Sequence, residues 1–318
     1  MEIEAGSLDE LLRAVYPKLL EADKVLPEPR QGANRELRGV VLRLSNPRAR
    51  LSRTMKRGRA FSGIGELAWY LAGSDETAFV ARYISAYLKY DVGGRVPSAY
   101  GPRLFGAGVD AQIANLVRLL REHPSTRRAV AQVFDRHDLP ASPVEVPCTC
   151  SIQFLLREGR LDAVVHMRSN DAYIGLPHDI FAFTMIQELV ANALGVELGA
   201  YVHMVSSLHL YERNEGPARG FLGEGKQTQD SMPIMTAGDP WEGVAQFLEM
   251  EKSARYGTAK IDTWPSGYWT DLALMCAARC SGDAAEILRI RSMMSEPFWE
   301  LYLTDLAFDS EDPDEVVA

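Results

Sequence analysis

The sequence predicts a single α+β domain, and three observations support this fold class. Segments with apolar residues at helical spacing are interleaved with segments in which apolar and polar residues alternate. No internal repeat or linker separates the two kinds of segment. The 318 residues suffice for one sizeable core. We expect one domain over residues 1–318, with a divergent, largely helical C-terminal part at about 240–308 and an acidic tail at 309–318.

The predicted elements follow in chain order. Apolar spacing predicts helices at residues 7–23, 61–73, 77–90, 110–122, 178–195, 240–253 and within 267–308. Alternation predicts strands at residues 40–44, 129–134, 153–157, 161–167 and 199–211. Residues 24–37, 47–60 and 212–231 are polar, basic or rich in Gly and Pro, and are predicted to be loops.

Composition and charge exclude several classes of protein. The net charge of −9 argues against a generic nucleic-acid binder, which would present a basic face. The most apolar segment, 180–200, is interrupted by Gln187 and Glu188, so we expect no membrane association. Four cysteines in this length do not make a disulfide framework, and their CxC and CxxxC spacings suit zinc poorly. We expect a cytoplasmic protein without a signal peptide and without a metal.

Candidate functional residues concentrate between 144 and 180. Cys148 follows a proline and is a candidate nucleophile, while Arg168 and Ser169 suit an anion. Asp179 opens an apolar helix, where a role as helix cap is the alternative. Outside this stretch, Glu66 lies among apolar neighbours and is either a buried carboxylate or a solvent-facing helix residue.

The order of these motifs resembles the thymidylate synthase family and its pyrimidine hydroxymethylase relatives. The resemblance covers about residues 30–211 and rests on an ordered set of short motifs rather than on any one of them. These are ELAWYLAG with Glu66, Tyr100-Gly101, Arg127-Arg128, Pro147-Cys148, Ile152 to Phe154, Arg168 to Asp171, Gly175 to Ile180 and Leu208 to Tyr211.

The resemblance implies a homodimeric fold in which a mixed β-sheet is packed by helices and the two sheets face each other. It implies that Cys148 adds to C6 of a pyrimidine nucleotide and that 5,10-methylenetetrahydrofolate is the cosubstrate. We expect nearby guanidinium groups to lower the pKa of this cysteine. Glu66 would organise protons around the base, and Tyr100 belongs to the same site.

The resemblance also implies the binding residues. The nucleotide phosphate would be held by Arg168, Ser169 and an N-terminal arginine, best matched by Arg30 with Arg35 and Arg38 as rivals. Arg127 and Arg128 would reach the same phosphate across the dimer interface, although a plain surface pair is the alternative. His209 and Tyr211 would hold the sugar hydroxyl. Asp171 and the C-terminal Ala318 would lie on the folate side.

One departure from the family pattern points to the substrate. Thymidylate synthases have Asn where this chain has Asp179. An Asn amide serves the O4 and N3–H of uracil, whereas cytosine presents an N4 donor and an N3 acceptor. A carboxylate accepts from N4 and, when protonated, donates to N3. Asp179 is therefore typical of the cytidylate hydroxymethylases, and it would discriminate between the two bases.

Other departures concern the product. Thymidylate synthases carry a Trp before the Tyr-Gly motif that shields the methylene intermediate until hydride arrives; here Ala86 or Tyr87 lies near that position. A less shielded intermediate can be trapped by water. Thr149 follows the nucleophile where His is usual, and the sequence does not explain this difference.

The sequence therefore predicts a folate-dependent CMP or dCMP 5-hydroxymethylase that acts on a small-molecule nucleotide. CMP is favoured, as in nucleoside-antibiotic biosynthesis. The alternatives are a phage-type dCMP hydroxymethylase, a methyl-transferring synthase acting on dUMP or dCMP, and a catalytically dead nucleotide- or RNA-binding relative. The retention of both Cys148 and Glu66 argues against the last.

Overall fold

The structure is a computed structural model that describes residues 1–25, 32–54, 60–139, 145–228 and 230–309. The strands in these residues are β1 Glu2–Ala5, β2 Lys24–Val25, β3 Asn34–Leu44, β4 Val130–Gln132, β5 Thr149–Arg157, β6 Arg160–Met167, β7 Asn170–Asp171 and β8 Glu197–Tyr211. The α-helices are α1 Leu8–Glu21, α2 Ala60–Leu71, α3 Thr77–Val80, α4 Tyr100–Phe105, α5 Gln112–Glu122, α6 Gly175–Leu194, α7 Glu215–Gly223, α8 Pro240–Arg255, α9 Tyr268–Ser281, α10 Ala284–Arg291 and α11 Glu300–Asp309.

The described strands form one mixed sheet. Its order is β1-β3-β8-β6-β5-β4, with β2 beside β3 and β7 beside β8. Strand β8 runs antiparallel to β3 and parallel to β6, and β5 is antiparallel to β6. Helices pack on this sheet, so the predicted α+β class with a mixed sheet is confirmed.

Side-chain alternation gives the sheet a core face and an open face. On the core face, Leu42, Phe154 and Val165 are fully buried, together with the apolar stripe of α1. On the open face, the neighbouring side chains are partly or fully exposed. The long helix α6 packs against β6 and β8 and ends at Gly195, whose left-handed conformation closes the helix.

The predicted helix over 77–90 is wrong in its middle. The chain forms the short helix α3 and then a separate 3-10 helix at Ser85–Tyr90. In one continuous helix Tyr83 and Tyr87 would share a face because they are four residues apart. Here Tyr83 donates a hydrogen bond to Glu251 at 2.6 Å, whereas Tyr87 donates to Glu66. The two tyrosines therefore contact different helices, α8 and α2, which one continuous helix would not allow.

The predicted loop over 212–231 is also wrong in part, because it contains α7. Two glycines and a proline weaken its helical signal. Burial compensates, since Ala218 and Phe221 are fully buried. The guanidinium group of Arg13 lies 4.8 Å from the centre of the Phe221 ring and donates to the carbonyl of Leu222 at 3.2 Å. Tertiary packing therefore overrides local propensity in this segment.

The C-terminal helices pack closely on the rest of the chain. Trp299, which we predicted to be a core or interface residue, is buried, as is Tyr302. The Tyr302 hydroxyl donates to the carbonyl of Ser52 at 3.1 Å, and Tyr268 contacts Met185 of α6. None of the helices in the described ranges combines the length and the apolar composition needed to cross a bilayer.

Candidate active site

Cys148 immediately precedes β5 and lies against an arginine. The backbone carbonyl of Cys148 accepts a 2.9 Å hydrogen bond from the Arg168 amide. The Arg168 side chain folds back over this turn: its Nε donates to the carbonyl of Pro147 at 2.9 Å and its Nη2 to that of Val146 at 3.0 Å. The same Nη2 lies 3.7 Å from Cys148 Sγ. The backbone therefore fixes the guanidinium group beside the sulfur.

The pKa of Cys148 is raised by its surroundings. Burial raises the pKa of the thiol to about 11, and the positive charge of Arg168 offsets only part of this. Our expectation of a lowered pKa is therefore correct for the contribution of Arg168 and wrong for the sum. The free protein holds Cys148 as a neutral thiol at neutral pH, so its proton has to leave when the sulfur attacks.

Asp179 lies within α6, and its carboxyl group faces a side chain rather than the end of the helix. Helix α6 begins at Gly175 with Ile174 at its N-cap. Asp179 Oδ2 instead accepts a 2.8 Å hydrogen bond from Asn170 Nδ2. Burial raises the pKa of Asp179 well above its usual range, and the negative charge of Glu66 raises it further. The alternative role of Asp179 as a helix cap is therefore wrong.

Glu66 is buried, at 6% exposure, on α2. This excludes the solvent-facing alternative. Its Oε1 accepts a short hydrogen bond from the Tyr87 hydroxyl, which satisfies one oxygen of a carboxylate that would otherwise be costly to bury. Burial and the charge of Glu66 raise the pKa of Tyr87 well above its usual range, so this phenol remains a donor.

Aromatic rings line a cavity beside Cys148. The cavity has a volume of about 50 Å³, and Trp69, Tyr70, Tyr87 and Tyr100 contribute to its wall. This volume admits water or a one-carbon group but not a whole nucleotide. The Tyr100 hydroxyl accepts from the amide of Thr149 at 3.2 Å, which links Tyr100 to the backbone next to the sulfur.

Thr149 acquires a structural explanation. Its side chain is fully buried and donates to the sulfur of Met167 at 2.9 Å. Thr149 therefore faces the core from β5, across the strand pair with β6.

The proposed sugar and folate residues meet where β7 pairs with β8. Asp171 lies opposite His209 in the register of these strands, and the His209 ring lies 4.9 Å from that of Tyr211, edge to face. Burial lowers the pKa of His209, an effect that Asp171 opposes. Asp171 Oδ1 also accepts from the amides of Tyr173 and Ile174, at 2.8 and 3.4 Å. Asp171 thus shapes the turn before α6. Ser169 is partly exposed beside Arg168.

The predicted phosphate arginines are placed unequally. Arg127 and Arg128 are exposed, and neither guanidinium group has a hydrogen bond or ion pair with the described residues. Arg30 lies outside the described residues, as does Ala318. Of its rivals, Arg35 is held by Glu215 at 2.7 Å and by the carbonyl of Ala22 at 2.6 Å. Arg38 is exposed on β3.

Sequence reasoning missed how three residues contact the site carboxyls, directly or through one neighbour. Asn170 holds Asp179, and His203 holds Asn170 at 2.9 Å. Tyr87 holds Glu66. A buried histidine on the core face of a predicted strand was the available signal for His203, because such a side chain requires partners. Within the described residues no three His, Cys, Asp or Glu side chains converge on a possible metal position.

This arrangement defines a nucleophilic enzyme: a cysteine beside an arginine, with one buried and one partly buried carboxyl group and aromatic walls. The sequence model of one family, thymidylate synthase, matches residues 30–238. That range is more than half of the 318 residues, and the chain belongs to the thymidylate synthase family. Members of this family are one-carbon transferases that act at C5 of a pyrimidine nucleotide and use methylenetetrahydrofolate. This chain is an enzyme of that class.

The site has features that fit both small molecules of the family. Tyr70 and Tyr100 pack on each other with their ring centres 5.3 Å apart, and with Trp69 and Tyr87 they form an aromatic wall that suits one face of a planar base. A phosphate suits Arg168, because the carbonyls of Pro147 and Val146 hold its Nε and Nη2 and leave Nη1 for an anion. Asp171, which the sequence predicts on the folate side, keeps one carboxylate oxygen outside the turn that its Oδ1 caps.

Proposed function

We propose that this enzyme is a cytidylate 5-hydroxymethylase that converts CMP or dCMP to the 5-hydroxymethyl nucleotide. The proposal rests on the carboxyl group of Asp179. Asn170 donates a hydrogen bond to it, and burial and the negative charge of Glu66 raise its pKa. Its protonated form donates to N3 of cytosine and its second oxygen accepts from N4. Uracil presents the reverse pattern, so a mismatch leaves buried groups unpaired at about 1–3 kcal/mol each.

In this proposal Cys148 Sγ adds to C6 of the base, and C5 becomes nucleophilic. The thiol loses its proton to water in the adjoining cavity during this addition, since burial keeps it protonated beforehand. After the one-carbon unit is attached and the C5 proton has left, the bond from Sγ to C6 breaks and the thiol is regenerated. Arg168 and Ser169 hold the phosphate, with Arg30 as a further ligand, while His209 and Tyr211 hold the sugar. The bound methylenetetrahydrofolate supplies the one-carbon unit, with Asp171 and Ala318 on its side of the site.

Tyr87 supports the hydroxymethyl product. Near the place where thymidylate synthases carry a shielding Trp, this chain puts a phenol whose hydroxyl is bonded to Glu66. Polar groups at this point favour an ordered water near C5, which suits addition of hydroxide rather than hydride. The second candidate is a methyl-transferring enzyme, which needs a shielded intermediate. Trp69 favours this candidate, because its buried indole lines the same cavity and lies 5.3 Å from the Tyr87 ring.

Product mass separates these candidates. Incubation of CMP, dCMP, UMP and dUMP with methylenetetrahydrofolate is expected to add CH₂O to a cytidine nucleotide and to release tetrahydrofolate. Mass spectrometry reads the nucleotide, and absorbance reads dihydrofolate. A gain of CH₂ accompanied by dihydrofolate would contradict hydroxymethylation, and exclusive turnover of the uracil nucleotides would contradict the cytosine assignment.

We further propose that the enzyme is a homodimer that associates through the open face of the sheet. This face carries apolar side chains in register: Val41 lies opposite Met204, and Val164 opposite Val202. Met204 is 40% exposed. Gln153, on the same face, donates to the backbone carbonyl of Arg127 at 2.8 Å. The two exposed arginines therefore lie at the rim of this face, from which they would reach a partner's phosphate.

Mixing two inactive variants tests the shared site. The double variant Arg127→Ala/Arg128→Ala lacks the donated arginines, and Cys148→Ala lacks the nucleophile. Hybrid dimers contain one site with both defects and one with neither, so mixing equal amounts is expected to restore about a quarter of wild-type activity, by random subunit exchange. Activity no higher than the sum of the separate variants, with exchange verified by a mass tag, would contradict donation across the interface.

We also propose that residues 1–318 form one catalytic domain. The C-terminal helices share buried contacts with the site-bearing part, including the hydrogen bond between Tyr83 and Glu251 at 2.6 Å and that between Tyr302 and Ser52 at 3.1 Å. Arg53 stacks on Phe298 at 4.4 Å. A unit cut at about residue 240 would expose these surfaces, which supports a single cooperative body.

A further inference from the structure

A buried chain of hydrogen bonds leads from the core of the sheet to Asp179. The Tyr201 hydroxyl lies 2.8 Å from His203 Nδ1, and His203 Nε2 lies 2.9 Å from Asn170 Oδ1. Asn170 Nδ2 lies 2.8 Å from Asp179 Oδ2. Tyr201 and His203 are fully buried and Asn170 is 3% exposed. Buried polar side chains joined in this way are expected to be rigid.

The direction of each bond in this chain follows from its end groups. Burial lowers the pKa of His203 to about 3, so one ring nitrogen is a donor and the other an acceptor. Burial raises the pKa of Tyr201 well above its usual range, so the phenol keeps its proton. When Asp179 is ionised it only accepts, which turns the Asn170 amide nitrogen toward it. His203 Nε2–H must then donate to Asn170 Oδ1, and Tyr201 donates to Nδ1.

We propose that Tyr201, His203 and Asn170 position Asp179 for cytosine by fixing Oδ2 as the hydrogen-bond acceptor and directing an added proton to Oδ1. With Oδ1 toward N3 and Oδ2 toward N4, the donor and the acceptor match the cytosine edge. Uracil would need the opposite arrangement, with the proton on Oδ2. In that arrangement the Asn170 amide would donate to a hydroxyl oxygen, which is a weaker acceptor than a carbonyl oxygen, unless all three bonds of the chain reversed.

The three residues act through Asp179, so they are positioning residues. The inference rests on the proposed role of Asp179 in reading the base. The discrimination between cytosine and uracil then depends on these side chains of β7 and β8 as well as on the carboxyl group of Asp179.

Two substitutions at His203 separate hydrogen bonding from packing. His203→Phe keeps a ring in the core but removes the donor to Asn170, whereas His203→Gln retains one donor and one acceptor. The measurement is the ratio of kcat/KM for CMP to that for UMP. His203→Phe is expected to lower this ratio by about tenfold to a hundredfold, since it removes both buried hydrogen bonds of His203, to Tyr201 and to Asn170. His203→Gln is expected to stay within about threefold of wild type, since its side chain can rebuild the chain of bonds.

Folding and the parent proposal are controlled separately. Thermal melting establishes that each variant is folded, and Asn170→Ser replaces His203→Phe if the latter does not fold. An unchanged CMP to UMP ratio in a folded His203→Phe or Asn170→Ser variant would overturn the inference. So would a loss in His203→Gln as large as in His203→Phe. Asp179→Asn is measured in parallel: an unchanged ratio there overturns the base-reading function itself, whereas a changed ratio beside an unaffected His203→Phe overturns only the positioning chain.

Discussion

Replacement of Cys148 by Ala is expected to abolish turnover, with a loss of at least about 10⁴-fold in kcat, because removal of a covalent nucleophile leaves only binding and polar stabilisation. The substitution removes a partly buried sulfur beside Arg168 and leaves the backbone bond from Arg168 to the Cys148 carbonyl in place. The nucleotide site should therefore survive. Steady-state turnover by mass spectrometry measures the loss, and equilibrium dialysis measures nucleotide binding.

The chain supplies a matched control two residues away. Cys150 is a partly buried free thiol whose backbone carbonyl accepts from the amides of Val133 and Phe134. Cys150→Ala removes a thiol from the same strand and should keep turnover within about threefold of wild type, as expected of a substitution away from reacting groups. Substantial turnover by Cys148→Ala, or an equal loss in Cys150→Ala, would be incompatible with Cys148 as the nucleophile.

Replacement of Asp179 by Asn is expected to reverse the base preference, changing the CMP to UMP ratio of kcat/KM by about 100-fold or more. A site built to pair with a polar edge rejects a mismatched edge strongly, because buried groups are left without partners. Asn is close in shape to Asp, so the fold should be preserved. To serve uracil, the new amide nitrogen has to take the place of Oδ2, which accepts from Asn170 in the wild type. The Asn170 amide then turns over, so the bonds of the chain reverse together with the donor and acceptor pattern toward the base.

Asp171→Asn is the control for this substitution. It makes the same chemical change at a nearby carboxylate whose Oδ1 accepts from backbone amides. This variant is expected to raise the folate KM and to leave the base ratio intact, since Asp171 is proposed to lie on the folate side. A base ratio that is unchanged in Asp179→Asn, or changed equally in Asp171→Asn, would remove Asp179 from base recognition.

The strands around the nucleophile were predictable because burial in this sheet is one-sided. Predicted strands at 153–157 and 161–167 correspond to β5 at Thr149–Arg157 and β6 at Arg160–Met167. Apolar and polar residues alternate along these strands, because one face of the sheet lies on the core and the other is open. Strand β3 begins at Asn34, earlier than the predicted residue 40. Its first residues are polar or charged and only partly buried, so the apolar pattern does not mark them.

The site residues that lie within short sequence motifs were predictable. The contacts that residues from distant elements make with those motifs were not. Cys148 and Arg168 were recognised in short motifs, and the structure places Arg168 Nη2 3.7 Å from Cys148 Sγ. The bond between Tyr87 and Glu66 needed the break after α3. The bond between His203 and Asn170 needed the register of β7 on β8. The direction of the Cys148 pKa shift depended on burial, which local sequence does not specify.

The position of β8 has a consequence for how the protein acquires its structure. This strand lies between β3 and β6 in the sheet, although it follows β3 by more than 150 residues in the chain, with Leu42 opposite His203. Such pairings close long loops, and folding slows as the sequence separation of contacts rises. A nascent chain that stops before residue 211 lacks the strand joining the two halves of the sheet. The ribosome therefore has to release most of the chain before the site can assemble, and until then β3 and β6 present unpaired edges that are prone to aggregation.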